Sequence, residues 1–264
     1  MPELRYESDG VWLHVMEEGH GSAVIMLHGG GADHHAVWPF VAPLSPRYRV
    51  IAPDLRGSGK SHCADSLSWD RLADDLNVLL DHIGSARAVI GGASMGTGVA
   101  LRFARRSPAR VAGLVLMLPV YAGEDRGLTE YQAASLGSLD PILAKVDREG
   151  IEAFRPLYRE SPAMEAYFDS MIRSVHPPSF VATNRFVASG VQPFASAADL
   201  QAIVAPTLLI PGNDPMHPAE ISDLYAARIP NCVAARLPET ADYGAWSAEV
   251  AAAIGSFCGR SAIW

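Results

Sequence analysis

A serine with a glycine two positions away on each side, Gly92-Ala93-Ser94-Met95-Gly96, stands between the apolar run Ala88-Val89-Ile90 and the helical run Thr97 to Arg106. A strand that turns sharply into a helix strains the residue at the corner, and glycines around it remove the side chains that would collide there. Such a turn lifts the Ser94 hydroxyl into an adjoining space. It also sets the Met95 N–H at a helix N-terminus, where partial positive charge favours a developing oxyanion. The pattern suits nucleophilic acyl transfer; a glycine-rich packing turn is the plainer reading.

Three more segments bear on this chemistry. His28-Gly29-Gly30-Gly31 follows the apolar run Val24 to Leu27, and its glycines fit neither G-x-x-x-x-G-K-[ST] nor G-x-G-x-x-G, the phosphate-cradling spacings. Pro53-Asp54-Leu55-Arg56-Gly57-Ser58-Gly59-Lys60-Ser61 follows another β-rich run, and Pro211-Gly212-Asn213-Asp214-Pro215-Met216-His217-Pro218 follows Thr207 to Ile210. In this order the segments resemble those of the α/β-hydrolase fold superfamily, from about Trp12 to Trp246. The resemblance implies an oxyanion loop in which the Gly30 N–H joins that of Met95, with Gly29 beside it and His28 holding the loop rather than acting as a base. It also implies that Asp214 is the acid that orients an imidazole and stabilises the imidazolium formed when serine attacks. An Asx-turn or a cap of the helix from Ala219 is the plainer role for Asp214.

The resemblance fails at one place. The family's histidine follows the last strand in a segment reading L-P-x-x-x-H, whereas here the segment is Leu237-Pro238-Glu239-Thr240-Ala241-Asp242, and no histidine occurs after His217. A serine hydroxyl is a weak nucleophile without a base. Three readings stay open. His217, three residues after Asp214, takes the role from a different place in the chain, because such triads are defined by geometry and not by chain order; a surface histidine before a helix is the alternative. His34 and His35 are further candidates beside the pocket mouth, while His62 and His176 read as incidental. In the second reading the chain is a non-hydrolytic enzyme, a lyase or cofactor-free oxygenase, with Asp242 or a histidine handling a proton. This rests on fold-level analogy. In the third it binds a small molecule without turnover.

The elements that must position these residues are β-rich runs at Trp12 to Met16, Ala23 to Leu27, Arg49 to Ala52, Ala88 to Gly91, Gly113 to Leu118, Thr207 to Ile210 and Val233 to Leu237. They alternate with amphipathic helical patterns such as Arg71 to Ile83 and Ala245 to Phe257, which predicts an α/β fold with a mostly parallel sheet flanked by helices. Between Ala122 and Ala205 helical segments follow one another without a strand. This predicts a core of residues 1–121 and 206–264 and a helical cap of residues 122–205, inserted over the strands' C-terminal ends where α/β sites lie. The cap's aromatic residues favour a small, partly aromatic or aliphatic substrate, and an inward-pointing Arg155, Arg159, Arg173 or Arg185 would hold a carboxylate.

Composition narrows the class. Hydrophobic residues at 49% suffice for a sheet buried on both faces, and a net charge of −8 without runs of one sign argues against nucleic acid as a partner. The first ten residues lack a secretory pattern and no long uncharged apolar stretch follows, so a cytoplasmic protein without a membrane partner is expected. Cys63, Cys232 and Cys258 suggest neither a disulfide framework nor a zinc site, and no metal, nucleotide or other cofactor is implied. The expected partner is a small-molecule substrate, and exposed cap surfaces would allow a homodimer. The reading carried forward is a hydrolase of a small ester, lactone or related acyl compound. Its catalytic residues are Ser94, Asp214 and His217, its oxyanion donors Gly30 and Met95, and its further pocket candidates His28, Gly29, His35 and Asp242.

Overall fold

The computed structural model describes residues 3–159, 162–238, 242–260 and 263–264. Among them eight strands form one sheet: β1 (Glu3–Ser8), β2 (Val11–Glu18), β3 (Ala23–Leu27), β4 (Arg49–Pro53), β5 (Ala88–Ala93), β6 (Val111–Met117), β7 (Thr207–Ile210) and β8 (Cys232–Ala234). Their order is β1-β2-β4-β3-β5-β6-β7-β8, with the pairs β1·β2 and β2·β4 antiparallel and the pairs from β4·β3 to β7·β8 parallel. The chain leaves β3 for β4 on one side and returns to β5 on the other, so the connections after β3 and β5 diverge. That divergence opens a crevice at the strands' carboxyl ends, where open α/β sheets take their ligands.

The inner strands are apolar throughout because both faces are covered. Along β3, Ile25 and Leu27 enter a core with α2 (Trp69–His82) and α3 (Met95–Arg106), while Val24 and Met26 enter the opposite core with α1 (Trp38–Val41) and α9 (Tyr243–Cys258). Strand β1 lies outside the sequence expectation. Its alternation of Leu4, Tyr6 and Ser8 with Glu3, Arg5 and Glu7 has the period of a half-buried strand, but the charges mask it in a search for apolar runs. Strand β8 stops at Ala234, short of the expected Leu237, because it is an edge strand whose side chains are mostly exposed.

Between β6 and β7 the chain forms α4 (Glu130–Gly137), α5 (Leu139–Glu149), a 3-10 segment (Ile151–Tyr158), α6 (Pro162–Met171) and α7 (Pro177–Ala188). Leu143, Val146, Phe154, Phe168, Phe180 and Val181 give these helices a small core of their own. The stretch from Phe194 to Ala205 differs from the expected grouping. Phe194, Leu200 and Ile203 pack in the main core, beside Leu224 and Tyr225 of α8 (Ala219–Arg228), so the separately packed part ends before Phe194. No helix of the described residues is long and apolar enough to cross a membrane.

Candidate active site

Ser94 occupies the corner between β5 and α3 with φ 50° and ψ −115°, a left-handed conformation costly for any residue with a side chain. The flanking glycines make the corner sterically feasible. A Cβ at Gly92 would lie 2.1 Å from the Gly96 carbonyl oxygen, and one at Gly96 would lie 2.6 Å from that of Leu27. Ser94 is held from both sides, its N–H donating to the Met117 carbonyl at 3.0 Å and its own carbonyl accepting from the Thr97 hydroxyl at 2.6 Å.

His217 meets it from the loop after β7. Its Nε2 lies 3.0 Å from Ser94 Oγ, and its Nδ1 lies 2.9 Å from Asp214 Oδ2 and 3.1 Å from Oδ1. Asp214 Oδ1 also accepts the backbone N–H groups of Met216, at 2.8 Å, and His217, at 2.9 Å. The Asx-turn and the imidazole contact, alternatives in the sequence, therefore coexist in one carboxylate. Partial burial alone would raise the Asp214 pKa, but the hydrogen bonds from His217 and the loop amides favour the ionised form and hold it below the usual carboxylate value. A carboxylate on Nδ1 fixes the tautomer whose bare Nε2 faces the serine hydroxyl, an arrangement able to carry a proton from Ser94 to His217. Gly212 makes the fold-back of this loop feasible: a Cβ there would sit 2.2 Å from the His217 carbonyl oxygen and 2.5 Å from its Cβ.

The loop after β3 completes the near side. His28 is buried, its Nε2 accepting from the Leu55 N–H at 3.0 Å and its Nδ1 donating to the Gly29 carbonyl at 2.7 Å. Burial lowers its pKa, so it stays a neutral strut. Gly29 runs under the serine, where a Cβ would lie 3.3 Å from that of Ser94. Gly30, Gly31, Ser94 and Met95 then line a cavity of about 350 Å3 with His217. Residues of the insertion between β6 and β7 also line it, among them Leu128, Leu139, Phe154, Tyr158, Asn184 and Val187. Two tyrosines bind the insertion to the loop: the Tyr158 hydroxyl donates to the Gly31 carbonyl at 2.9 Å, and the Tyr167 hydroxyl accepts from the Asp33 N–H at 3.1 Å.

Three expectations about the pocket are corrected. His28 faces Leu55 and not the cavity. His35 is half-exposed beside Asp33 and does not line the cavity, because the short 3-10 turn His34–Ala36 carries it outward. Asp242 caps α9, its Oδ1 accepting from the Ala245 N–H at 3.0 Å, and it too lies off the cavity wall; Glu239, Thr240 and Ala241 of the same segment are outside the described residues. His34 is also turned away, into a buried cluster with Asp54 and His14. Burial would raise the Asp54 pKa, but hydrogen bonds from both imidazoles hold the carboxyl ionised, far below its usual value. Among the described residues, the groups that could offer metal ligands are His14 with His34 and Asp54, and Asp33 with His34 and His35, and their Nδ1 atoms are spent on carboxylate oxygens. Arg155 pairs with Glu152 and Asp169, Arg185 pairs with Asp147, and Arg159 and Arg173 are exposed, so none of the four arginines reaches the cavity.

Gln132 escaped the sequence reading. It is fully buried on α4, where it forms a capping box with Thr129, and its Nε2 donates to the carbonyls of Val120, at 3.1 Å, and Met216, at 2.8 Å. The T-x-x-Q spacing marks the helix start in the sequence, but nothing local announces the bond to Met216.

Comparison with known proteins adds a family match and three individual likenesses. The model of the alpha/beta hydrolase fold family matches residues 22–134. A 2-hydroxy-6-oxononadienedioate/2-hydroxy-6-oxononatrienedioate hydrolase of Pseudomonas putida is 32% identical over 251 residues, which is 83% of this chain and 81% of that one. Lipase LipV of Mycobacterium tuberculosis is 34% identical over 140 residues, 52% of this chain, so the match spans about half that lipase, 54% of it. Among solved structures, a thermophilic esterase of Thermogutta terrifontis, determined with malate bound, superposes with a TM-score of 0.71 at 27% identity over 89% of each chain. These relatives are hydrolases.

Proposed function

The chain belongs to the α/β-hydrolase fold family, and from that premise we propose that it is a serine hydrolase that cleaves a small ester, lactone or related acyl compound. Ser94 is the nucleophile, His217 the general base and Asp214 the residue that orients it. The observation that carries this reading is the continuous path Asp214 Oδ2, His217 Nδ1, His217 Nε2, Ser94 Oγ, with steps of 2.9 and 3.0 Å across its two hydrogen bonds. It supports a triad whose acid and base share one loop, which dispenses with a histidine near Asp242.

The steps follow from these positions. Ser94 Oγ attacks the acyl carbon while its proton passes to His217 Nε2, and the carbonyl π electrons move onto oxygen. The N–H groups of Gly30 and Met95 stabilise that oxyanion, and those of the Met95 helix end do so with the favourable pole of the α3 dipole. Collapse breaks the bond to the leaving oxygen, which takes the proton from His217. Water then attacks the acyl-Ser94 ester, with His217 accepting its proton and returning it to Ser94 as the acid leaves. The helices between β6 and β7 act as the cap that closes this site from water.

The test is direct. Wild-type protein should hydrolyse p-nitrophenyl acetate and be labelled by a fluorophosphonate, Ser94→Ala should lose both, and His217→Ala should lose at least about 1,000-fold in kcat. Undiminished esterase activity in His217→Ala would remove His217 from the base's role.

A further inference from the structure

The cavity beside Ser94 carries one electrostatic property throughout. Among the described residues, none of its lining side chains is Arg, Lys, Asp or Glu, and apart from His217 and two tyrosines every one is non-titratable. Tyr158 spends its hydroxyl proton on the Gly31 carbonyl, and burial pushes its pKa up to about 12, so it offers no charge. The cationic side chains of the insertion that the sequence placed near a substrate are paired with acids or exposed. The residues outside the described set contain no Lys, Arg or His side chain.

A carboxylate moved from water into such a pocket loses its hydration and gains no Arg or Lys as a partner. An alkyl chain gains at every buried methylene. At ~30 Å3 per water-sized unit, the 350 Å3 cavity holds on the order of ten non-hydrogen atoms. Of its lining residues, Leu128, Leu136, Leu139, Phe154 and Met164 are apolar.

We propose, resting on the hydrolase reading above, that the acyl part of the substrate is uncharged and apolar, of about six to eight carbons, and that acyl groups ending in a carboxylate are rejected. The cavity selects by desolvation, since its described lining offers an anion no Arg or Lys to pair with.

The experiment compares kcat/KM for p-nitrophenyl acetate, butyrate, hexanoate and octanoate with that for the mono-p-nitrophenyl ester of adipic acid, which carries a carboxylate on a six-carbon acyl chain. The expected result is a rise of about tenfold or more from acetate to hexanoate, with the adipate ester at least about 100-fold below hexanoate. Leu157→Arg, at the exposed rim of the cavity, should narrow that gap tenfold or more. A flat chain-length profile, or an adipate ester within about threefold of hexanoate, overturns the proposal. If no ester is hydrolysed the hydrolase reading fails, and thermal shift then decides the acyl preference separately. Methyl hexanoate should raise the Tm of Ser94→Ala and monomethyl adipate should not; equal shifts, or no shift from methyl hexanoate, overturn the proposal.

Discussion

Gln132 Nε2 donates to the carbonyl of Met216 at 2.8 Å, tying the first helix of the insertion to the residue just before His217. The same nitrogen donates to Val120 at the exit of β6, so one buried amide joins three segments around the site. Gln132→Leu leaves the buried Val120 carbonyl and the partly buried Met216 carbonyl without this donor, which costs about 1–3 kcal/mol. The expected result is a fall in kcat of about tenfold or more with little change in KM, together with a Tm several degrees lower. A normal kcat at a lowered Tm would restrict Gln132 to a structural role.

Gly212 is the hinge of the loop that carries both Asp214 and His217. Its substitution by Ala places a methyl against the His217 backbone, so the loop must shift by more than a side chain can absorb. Displacements of about 1 Å cost roughly 100-fold in well-aligned sites. Gly212→Ala should therefore fold with near-native circular dichroism and lose 10- to 100-fold in kcat, measured with the same ester that wild type cleaves.

Asp214→Asn keeps the size of the side chain and removes its charge. The amide can present an N–H where the carboxylate accepted from His217 Nδ1, favouring the tautomer that points a proton at Ser94. A loss of about 100- to 10,000-fold in kcat is expected. Because the Asp214 carboxyl is held below its usual pKa, wild type should show no loss of activity from its protonation above about pH 5. An equal rate in Asp214→Asn would sink its assignment.

Asp242→His places a histidine where the wider family carries one. Here the residue caps α9 and His217 Nε2 already stands 3.0 Å from Ser94 Oγ, so the change should not raise esterase activity and should cost about 1 kcal/mol of stability. An increase by orders of magnitude would show that hydrolysis had been dismantled in this chain and that the loop histidine is a poor substitute.

His35 beside Asp33 supplies a pH signature outside the chemistry. The hydrogen bond to the Asp33 carboxylate raises its pKa. Its contribution is then complete below the unfolded-state value of about 6.5 and is lost as pH rises through the higher folded value. The side chain is 44% exposed, so solvent screening limits the effect to a few tenths of a kcal/mol, up to about 1. Urea unfolding should find His35→Gln less stable than wild type at pH 5 and equal to it at pH 9. The opposite order would contradict the pairing.

The sequence by itself determined the fold and most of the groups at the site. Continuous apolar runs such as Val24 to Leu27 demand a sheet covered on both faces, and Gly92 and Gly96 around Ser94 demand a corner that no larger residue tolerates. These are local constraints, written within a few residues of where they act. Asp214 and His217 were legible as a pair for the same reason, since three residues of chain hold them together. Tertiary structure alone decided what that pair faces. His217 and Ser94 are 123 positions apart, and their 3.0 Å contact depends on β7 lying beside β6 and β6 beside β5. The outward turn of His35, the capping role of Asp242, the pairing of Arg155 and Arg185 with surface acids and the bond from Gln132 to Met216 have the same character. Each is fixed by which side of an element faces the crevice, and residue type and spacing carry little of that information when the helices that close a site also pack against one another.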